Sequence, residues 1–388
     1  MKDTLNLSLV EMQLLNQFQH DFPLVQRPFA QIAKTLHLDE ASVMESLARL
    51  QSSGVISRVG AVFKPNRVAV SCLAAMRVED ARLESVASLI SAHPSVNHNY
   101  QREHTYALWF VIGAANQTAL QQVVDELEAR CQSGKILLLP LVEEYHIDLG
   151  FDLQLADTQK HLANELTTRR SPERALLLSL RQRHLLHALQ HGLQFVSHPF
   201  AQLGDEEDWV LQQLKTWKAH AVMHRFGVVL RHHELGYRAN AMLVLDVPAA
   251  LRTVVGRRIA SSGMVSLCYQ RKSNREDWPY QLFCMLHGKD RASVQARIAK
   301  LLTACELQAY SHEVLFSQRR FKQCGAHYAA PAVFNKAEQR PLHKRSERPK
   351  FDSRSAPVLE HSEHRRLKIR PRSSLCRGLD QGEDLACI

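Results

Sequence analysis

Apolar positions along the chain alternate between two periods, and the switches mark out the elements. Leu9, Met12, Leu15 and Phe18 recur near a helical period, so residues 8–20 predict a helix. Pro23 stops it, and Pro28 suits the first turn of a second helix. Asp39 is a good N-cap for a third, whose Val43, Leu47 and Leu50 share one face. Gly54 ends that helix, and "VISRVGAVFKP" reads as a small two-stranded wing. Three helices and a wing predict a winged helix-turn-helix. The pattern then gives strand 68–78, helix 80–92, strand 96–102, strand 105–113, helix 116–131 and strand 135–148. That β-α-β-β-α-β order is ferredoxin-like.

After a polar stretch at 152–172 the pattern recurs. "LLHALQHGLQFVSHPFAQL" (185–203) echoes "LLNQFQHDFPLVQRPFAQI" (14–32), with Pro-Phe-Ala-Gln in both. "VMHRFGVVLR" (222–231) echoes "VISRVGAVFK" (55–64), and "GYRANAMLVLDVP" echoes "RVAVSCLAAMRVE". Self-similarity of this kind decides the architecture. The expected fold class is α+β: a tandem duplication of winged helix-turn-helix plus ferredoxin-like βαββαβ domain, packed as a pseudo-dimer with the two sheets facing. The expected boundaries are 1–66 and 67–153 for the two domains of the first half, 154–172 for a linker, 173–233 and 234–328 for the second half, and 329–388 for a basic, disordered tail.

The 388 residues have room for two or three domains. No apolar run approaches the roughly 20 residues that span a bilayer, and an early acid with no small-residue cleavage site argues against a secretory signal. The eight cysteines are scattered, with no CxxC pair. These features predict a reducing cytoplasm, no structural zinc and no membrane. The net charge of +10 raises nucleic acid as a partner, but residues 329–388 carry 13 Lys/Arg against 8 Asp/Glu, half of that excess. A DNA reader needs Lys and Arg on its recognition helix. The first candidate helix offers Glu40, Glu45 and Arg49; the second opens on Asp205-Glu206-Glu207-Asp208. Carboxylates there repel phosphate, so nucleic acid is not the expected partner.

Candidate chemistry gathers in 96–113, "VNHNYQREHTYALWFVIG", and its echo at 265–288, "VSLCYQRKSNREDWPYQLFCMLHG". Each runs apolar strand, Tyr-Gln-Arg, polar elbow, Tyr, apolar strand. Alternation along a strand puts His98, Tyr100 and Arg102 on one face, joined by His104 if the elbow keeps register. Tyr100 matches Tyr269 and Arg102 matches Arg271, whereas His98 stands where the second half has Leu267. Arg58 and Arg225 recur in the two wings, facing a ligand or tying the wing to the sheet. Arg27 corresponds to His198. Trp109, Trp278 and Tyr280 read as core or pocket wall. Arg319, Arg320 and Lys322 read as a solvated run after the last strand. His232-His233 has no second ligand pair at metal spacing.

A winged helix-turn-helix followed by β-α-β-β-α-β resembles the leucine-responsive/AsnC regulators. The strings "DFPLVQRPF", "GVISRVGAVF", "HPSVNHNYQREHTYALWFV", "HRFGVVLRHHELGYRANAM", "DWPYQLFCMLHG" and "VLFSQRRFKQCGAHY" more closely resemble the siroheme decarboxylases, which share that fold. The resemblance covers 8–153 and 180–328 and stops near Tyr328. It implies a carboxy-lyase that removes CO2 from the C12 and C18 acetates of siroheme, giving 12,18-didecarboxysiroheme for haem d1 or alternative haem synthesis. It implies no cofactor beyond the substrate's own iron-tetrapyrrole, and a homo-oligomer or related decarboxylase subunits as further partners. On this reading His98, His104, Tyr100 and Arg102 are catalytic, and Arg58, Trp109, Arg225, Tyr269, Arg271 and Tyr280 bind substrate. His98 or His104 supplies the proton, and either one is open as a ligand to the siroheme iron. The alternatives are a DNA-binding regulator of the same fold sensing haem or a small ligand, and an inert tetrapyrrole carrier.

Overall fold

The computed structural model describes residues 7–147, 169–170, 176–231, 236–274 and 276–325. His232-His233, Tyr328, most of the expected linker and the whole basic tail lie outside the described residues. The helices are α1 (Leu9–Gln17), α2 (Pro28–Leu36), α3 (Glu40–Ser52), α4 (Leu83–Ala92), α5 (Gln117–Cys131), α6 (Leu180–Leu189), α7 (Glu207–Ala219), α8 (Arg252–Ser261) and α9 (Arg291–Ala304). The strands are β1 (Ile56–Phe63), β2 (Val70–Met76), β3 (Val96–Arg102), β4 (Leu108–Ala114), β5 (Leu137–Ile147), β6 (Arg169–Arg170), β7 (Met223–Leu230), β8 (Ala239–Leu245), β9 (Leu267–Arg271), β10 (Leu282–Gly288) and β11 (His312–Gln323).

Local chemistry sets the boundaries. Ser8 and Glu11 form a capping box on α1, and Ser179 and Gln182 form the same box on α6. Asp39, Asn116 and Asp290 each accept a hydrogen bond from the backbone amide three residues on. Pro28 opens α2 as expected, but its counterpart is a short 3-10 turn over Phe200–Leu203. Nine positions separate Gln31 from Glu40 and five separate Gln202 from Glu207, so the second copy lacks about one helical turn.

The expected two-stranded wings do not form. Each half contributes one unbroken strand, since "VISRVGAVF" holds no tight-turn pair, and β1 and β7 zip antiparallel across the halves with Gly60 opposite Gly227. At Gly227 a Cβ would fall 2.3 Å from the Gln19 carbonyl oxygen, so glycine lets β7 lie against the end of α1. Both helical units share one core, from Leu14 and Phe29 through Phe200 and Trp217.

The ferredoxin-like units also merge. Their strands run β2-β4-β3-β11-β8-β10-β9-β5, and β5 returns to β2, closing an eight-stranded antiparallel ring. Two strands serve both halves. On β5, Leu137 to Pro140 pair with β2 and Leu141 to Ile147 with β9; on β11, His312 to Phe316 pair with β8 and Ser317 to Gln323 with β3. The facing sheets of the expected pseudo-dimer are therefore joined at both edges. Helices α4 and α5 cover one sheet through Val86, Ile90, Leu120 and Val124. Helices α8 and α9 cover the other through Val255, Ile259, Val294 and Ile298. Each such buried side chain contributes about 1.5–3 kcal/mol. Between the sheets lies an aromatic core of Tyr106, Trp109, Trp278, Tyr280 and Phe283.

Candidate active site

Alternation on β3 sorts its side chains as the sequence predicts. Asn99 turns outward, donating from Nδ2 to the Ala87 carbonyl oxygen at 3.1 Å. His98, Tyr100 and Arg102 turn inward. Across the ladders, Tyr100 stands opposite Trp109 of β4 and Arg320 of β11; Arg102 stands opposite Ser317, and His98 opposite Gln323. We call this junction of β3 and β11 the first seam. His98 to Arg102 spans about 13 Å at 3.3 Å per residue.

Arg102 donates from Nη1 to the Leu315 carbonyl oxygen at 2.9 Å, and its guanidinium lies 5.9 Å from the Tyr100 ring centre. Burial lowers its pKa to about 10, against a raising effect from Tyr100, so it stays cationic at neutral pH. Burial pushes the Tyr100 phenol upward, past the opposing pull of Arg320 and Arg102, so it is a hydroxyl donor. Burial lowers His98 to about 4, leaving a neutral imidazole. Three buried polar atoms here, His98 Nδ1, Arg102 Nε and Ser317 Oγ, have no protein partner. At the His98 end, Arg58 of β1 donates from Nη2 to the Ala61 carbonyl oxygen at 3.1 Å. Its Nη1 would meet a Cβ on Gly325 at 2.8 Å, so the arginine reaches the end of β11. There the Cys324 amide bonds the Asn97 carbonyl, beside His98.

The second seam, β9 against β5, repeats the backbone. Both seams break register at equivalent places, before and after the residue facing the tyrosine. Arg271 donates from Nη1 to the Leu139 carbonyl oxygen at 3.0 Å and lies 5.2 Å over the Tyr269 ring. The tyrosines and arginines match, as the repeat predicts. The rest does not: Leu267, Glu144 and Leu141 stand where the first seam has His98, Arg320 and Ser317.

His104 departs from expectation. The chain leaves the ladder after Arg102, so the elbow does not carry His104 along the β3 face. Its Nδ1 accepts from the Tyr106 amide at 2.9 Å, which places the proton on Nε2, 3.1 Å from Glu313 Oε2. Burial lowers its pKa, opposed by Glu313 and reinforced by Arg77. Its ring stacks on Tyr106 at 5.9 Å and meets the edge of Trp278 at 5.3 Å. Tyr280 donates its hydroxyl to Glu313 at 2.8 Å, so Glu313 joins the elbows of both halves. Trp109 donates from Nε1 to the Tyr106 carbonyl oxygen at 2.7 Å and is core.

Other candidates separate from the seams. Arg225 is buried and donates to the Gln19 and Val228 carbonyl oxygens, so it braces β7 against α1 rather than facing a ligand. Arg27 pairs with Glu40 and His198 with Glu207, each at the start of the third helix of its own half. The cation run lies within β11, not after it. Arg319 pairs with Glu84 and Lys322 Nζ bonds the His93 carbonyl oxygen, while Arg320 takes the place opposite Tyr100. Sequence reasoning passed over Ser317, Glu313 and Glu144. Superposing the two last strands, 137–147 on 313–323, would have exposed Glu144 against Arg320.

Surface clefts do not coincide with this chemistry. Two open on the helical layer, of about 560 and 690 Å3, lined by residues such as His191 and Phe195 or Arg27 and Lys215. We give the first seam more weight, because there a buried, unpartnered imidazole nitrogen shares one strand face with a buried tyrosine and a buried guanidinium. Among the described residues no cluster of three His, Cys, Asp or Glu could hold a metal ion, and no helix is long and apolar enough to cross a membrane.

Comparison with known proteins agrees with this architecture. Residues 68–146 and 234–322 match the AsnC-like ligand binding domain, and residues 11–56 match the siroheme decarboxylase NirDL-like HTH domain. The siroheme decarboxylase NirDL subunit of Paracoccus denitrificans is 37% identical over 328 residues, covering 84% of this chain and 98% of that protein. The siroheme decarboxylase of Hydrogenobacter thermophilus is 29% identical over 322 residues, covering 81% and 94%. The crystal structure of the siroheme decarboxylase NirDL superposes with a TM-score of 0.61 at 27% identity, over 83% of this chain and 94% of that one. A second structure of NirDL, in complex with an iron-uroporphyrin III analogue, gives 0.59. The chain belongs to the siroheme decarboxylase family, in its NirDL form.

Proposed function

We propose that the chain decarboxylates the C12 and C18 acetates of siroheme at the first seam, yielding 12,18-didecarboxysiroheme for haem d1 or alternative haem synthesis. One observation carries the placement: Arg102 and Arg320 stand on the same seam as His98, whose buried Nδ1 has no protein partner, and Arg58 reaches the end of β11 near it. A buried polar atom left unpaired costs about 1–3 kcal/mol. A flat ring edged with carboxylates satisfies such atoms and matches bidentate guanidinium groups.

Arg102, held by the Leu315 carbonyl, clamps the carboxylates and stays charged throughout. Tyr100 donates its hydroxyl to a carboxylate oxygen. The bond between the acetate methylene and its carboxylate breaks, the electron pair flows toward the macrocycle, and CO2 leaves. The methylene carbon then takes a proton and becomes a methyl. His98 supplies that proton. It is neutral in the empty protein, and the arriving carboxylates raise its pKa, so substrate and proton enter together. His104 is committed at both nitrogens, to Tyr106 and Glu313, and is neither the acid nor an iron ligand on this reading. The reaction is redox-neutral and uses no cofactor beyond the substrate's own iron-tetrapyrrole. The siroheme-bearing protein is cytoplasmic, and its further partners are copies of itself or related decarboxylase subunits.

The test is anaerobic incubation of the purified chain with siroheme, with the tetrapyrroles read by mass spectrometry. Loss of two carboxyl groups is expected. Siroheme bound but unchanged identifies a carrier, and failure to bind siroheme returns the regulator reading.

A further inference from the structure

The outer helices of the ring repeat one frame with opposite charge. Helices α4 and α8 each follow a short 3-10 turn, and α5 and α9 each start from a side-chain cap, Asn116 and Asp290. The aromatic core between the sheets sets the two helix pairs on opposite sides of the ring. Along α4 and α5 the charged residues are Glu84, Asp125, Glu126 and Glu128, with one base, Arg130. Along α8 and α9 they are Arg252, Arg257, Arg258, Arg291, Arg297 and Lys300, with no acid. Counted from the helix starts, Ser88 corresponds to Arg257 and Glu126 to Lys300. The basic side also exposes apolar surface: Leu251 is 44% and Val254 62% exposed, at one-turn spacing before Arg257.

Local ion pairs do not cancel this difference. Arg258 and Arg291 are held by Glu306 and Glu103. Arg252 and Arg297 donate to the Val247 and His287 carbonyl oxygens and keep their charge, and Arg257 and Lys300 have no ion partner among the described residues. On the other side Glu84, Glu126 and Glu128 are held by Arg319, Arg130 and Lys135. Asp125 meets the neutral amide of Gln121, and Glu79 and Asp80 stand exposed just before α4.

We propose that the basic α8–α9 face docks on the acidic α4–α5 face of a second copy of this chain, head to tail. This deepens the reading that further partners are copies of the chain, and it does not depend on where siroheme reacts. Duplication gives the two faces a common helix frame, and divergence gives them opposite sign, which selects unlike faces and rejects like ones. Leu251 and Val254 lose water in the contact, and the cations around them set its register. Because the faces lie on opposite sides, each docked copy keeps one face free. Association therefore continues into stacks instead of closing at a twofold dimer. Exposed ion pairs are individually weak, so the stacks are reversible and sensitive to salt.

The experiment is sedimentation velocity on the full chain over a range of protein concentration and salt. The mass of wild type is expected to rise with concentration past two chains and to fall as salt goes from about 0.05 to about 0.5 M. A basic-face variant, Arg257→Glu with Lys300→Glu, and an acidic-face variant, Asp125→Lys with Glu126→Lys, are each expected to self-associate about 10- to 100-fold more weakly. Mixed in equal amounts, the two variants are expected to associate again, since each retains the face that the other has lost. Unchanged siroheme turnover per chain shows that both variants are folded. A loss of association that mixing does not repair overturns the proposal. A dimer that neither variant disturbs also overturns it, while leaving copies of the chain as partners. Wild type that stays monomeric at low salt and high concentration defeats the contact and that reading together.

Discussion

The helical layer and the strand ring treat the same duplication differently. In the helical layer the halves keep matching contacts, apart from the helical turn that the second copy lacks: each strand of the β1–β7 pair is the other's partner, both glycines meet at its centre, and both first helices carry the same capping box. Inside the ring the backbone keeps that symmetry while the chemistry abandons it. A histidine faces a leucine across the pseudo-twofold, and an arginine faces a glutamate. Assembly requires likeness of backbone, and one substrate edge requires one charge pattern. A duplicated fold can therefore hold its frame constant while one copy of a site diverges.

The largest expected effect comes from making the seams alike in the wrong direction. His98→Leu installs the second half's residue in the first, and kcat should fall about 10²–10⁴-fold, the usual worth of a positioned acid. The same variant separates chemistry from stability. His98 is held at about 4 in the fold against 6.5 in the free residue, so the fold favours its neutral form. That contribution is full above pH 6.5 and is lost as pH falls toward 4. Urea midpoints at pH 7 and pH 5 should drop in wild type and drop less in His98→Leu.

Next in size is the arginine pair. Arg102→Ala should lower kcat/KM for siroheme about 10- to 100-fold, while Arg271→Ala should lower it little, although each leaves a strand carbonyl without its donor. Equal losses would mean that both seams work. The wing arginines sharpen the contrast further. Arg225→Met should cost about 2–3 kcal/mol of unfolding free energy, because it strips two carbonyls of a buried charged donor, with KM unchanged. Arg58→Met should raise KM instead. The smallest effect is expected at the elbow: Tyr280→Phe removes one hydroxyl bond to Glu313, about 1 kcal/mol by thermal melt, without changing kcat.

Much of this was legible before any coordinates. The duplication is written in Pro-Phe-Ala-Gln and Tyr-Gln-Arg, and the period of two along 96–102 put His98, Tyr100 and Arg102 on one face. The wing misled because alternation announces a strand but not its partner, which lies some 170 residues away, across the halves. The cation run is solvated as read, with Arg319 and Arg320 exposed, but only the ladder shows that Arg320 stands opposite Tyr100. The His104–Glu313 pair joins an elbow to a strand of the other half, with no local pattern to announce it.

The shared strands also bear on how the chain is made. When the first half has left the ribosome, β1 has no β7, β3 has no β11, and the far portion of β5 has no β9. Three open edges thus wait, side by side with exposed apolar surface, until the second half is translated. Such edges invite pairing with other nascent chains. Fusing the halves places the right partner at high local concentration as synthesis ends, and the ring then closes on its own chain rather than on a neighbour's.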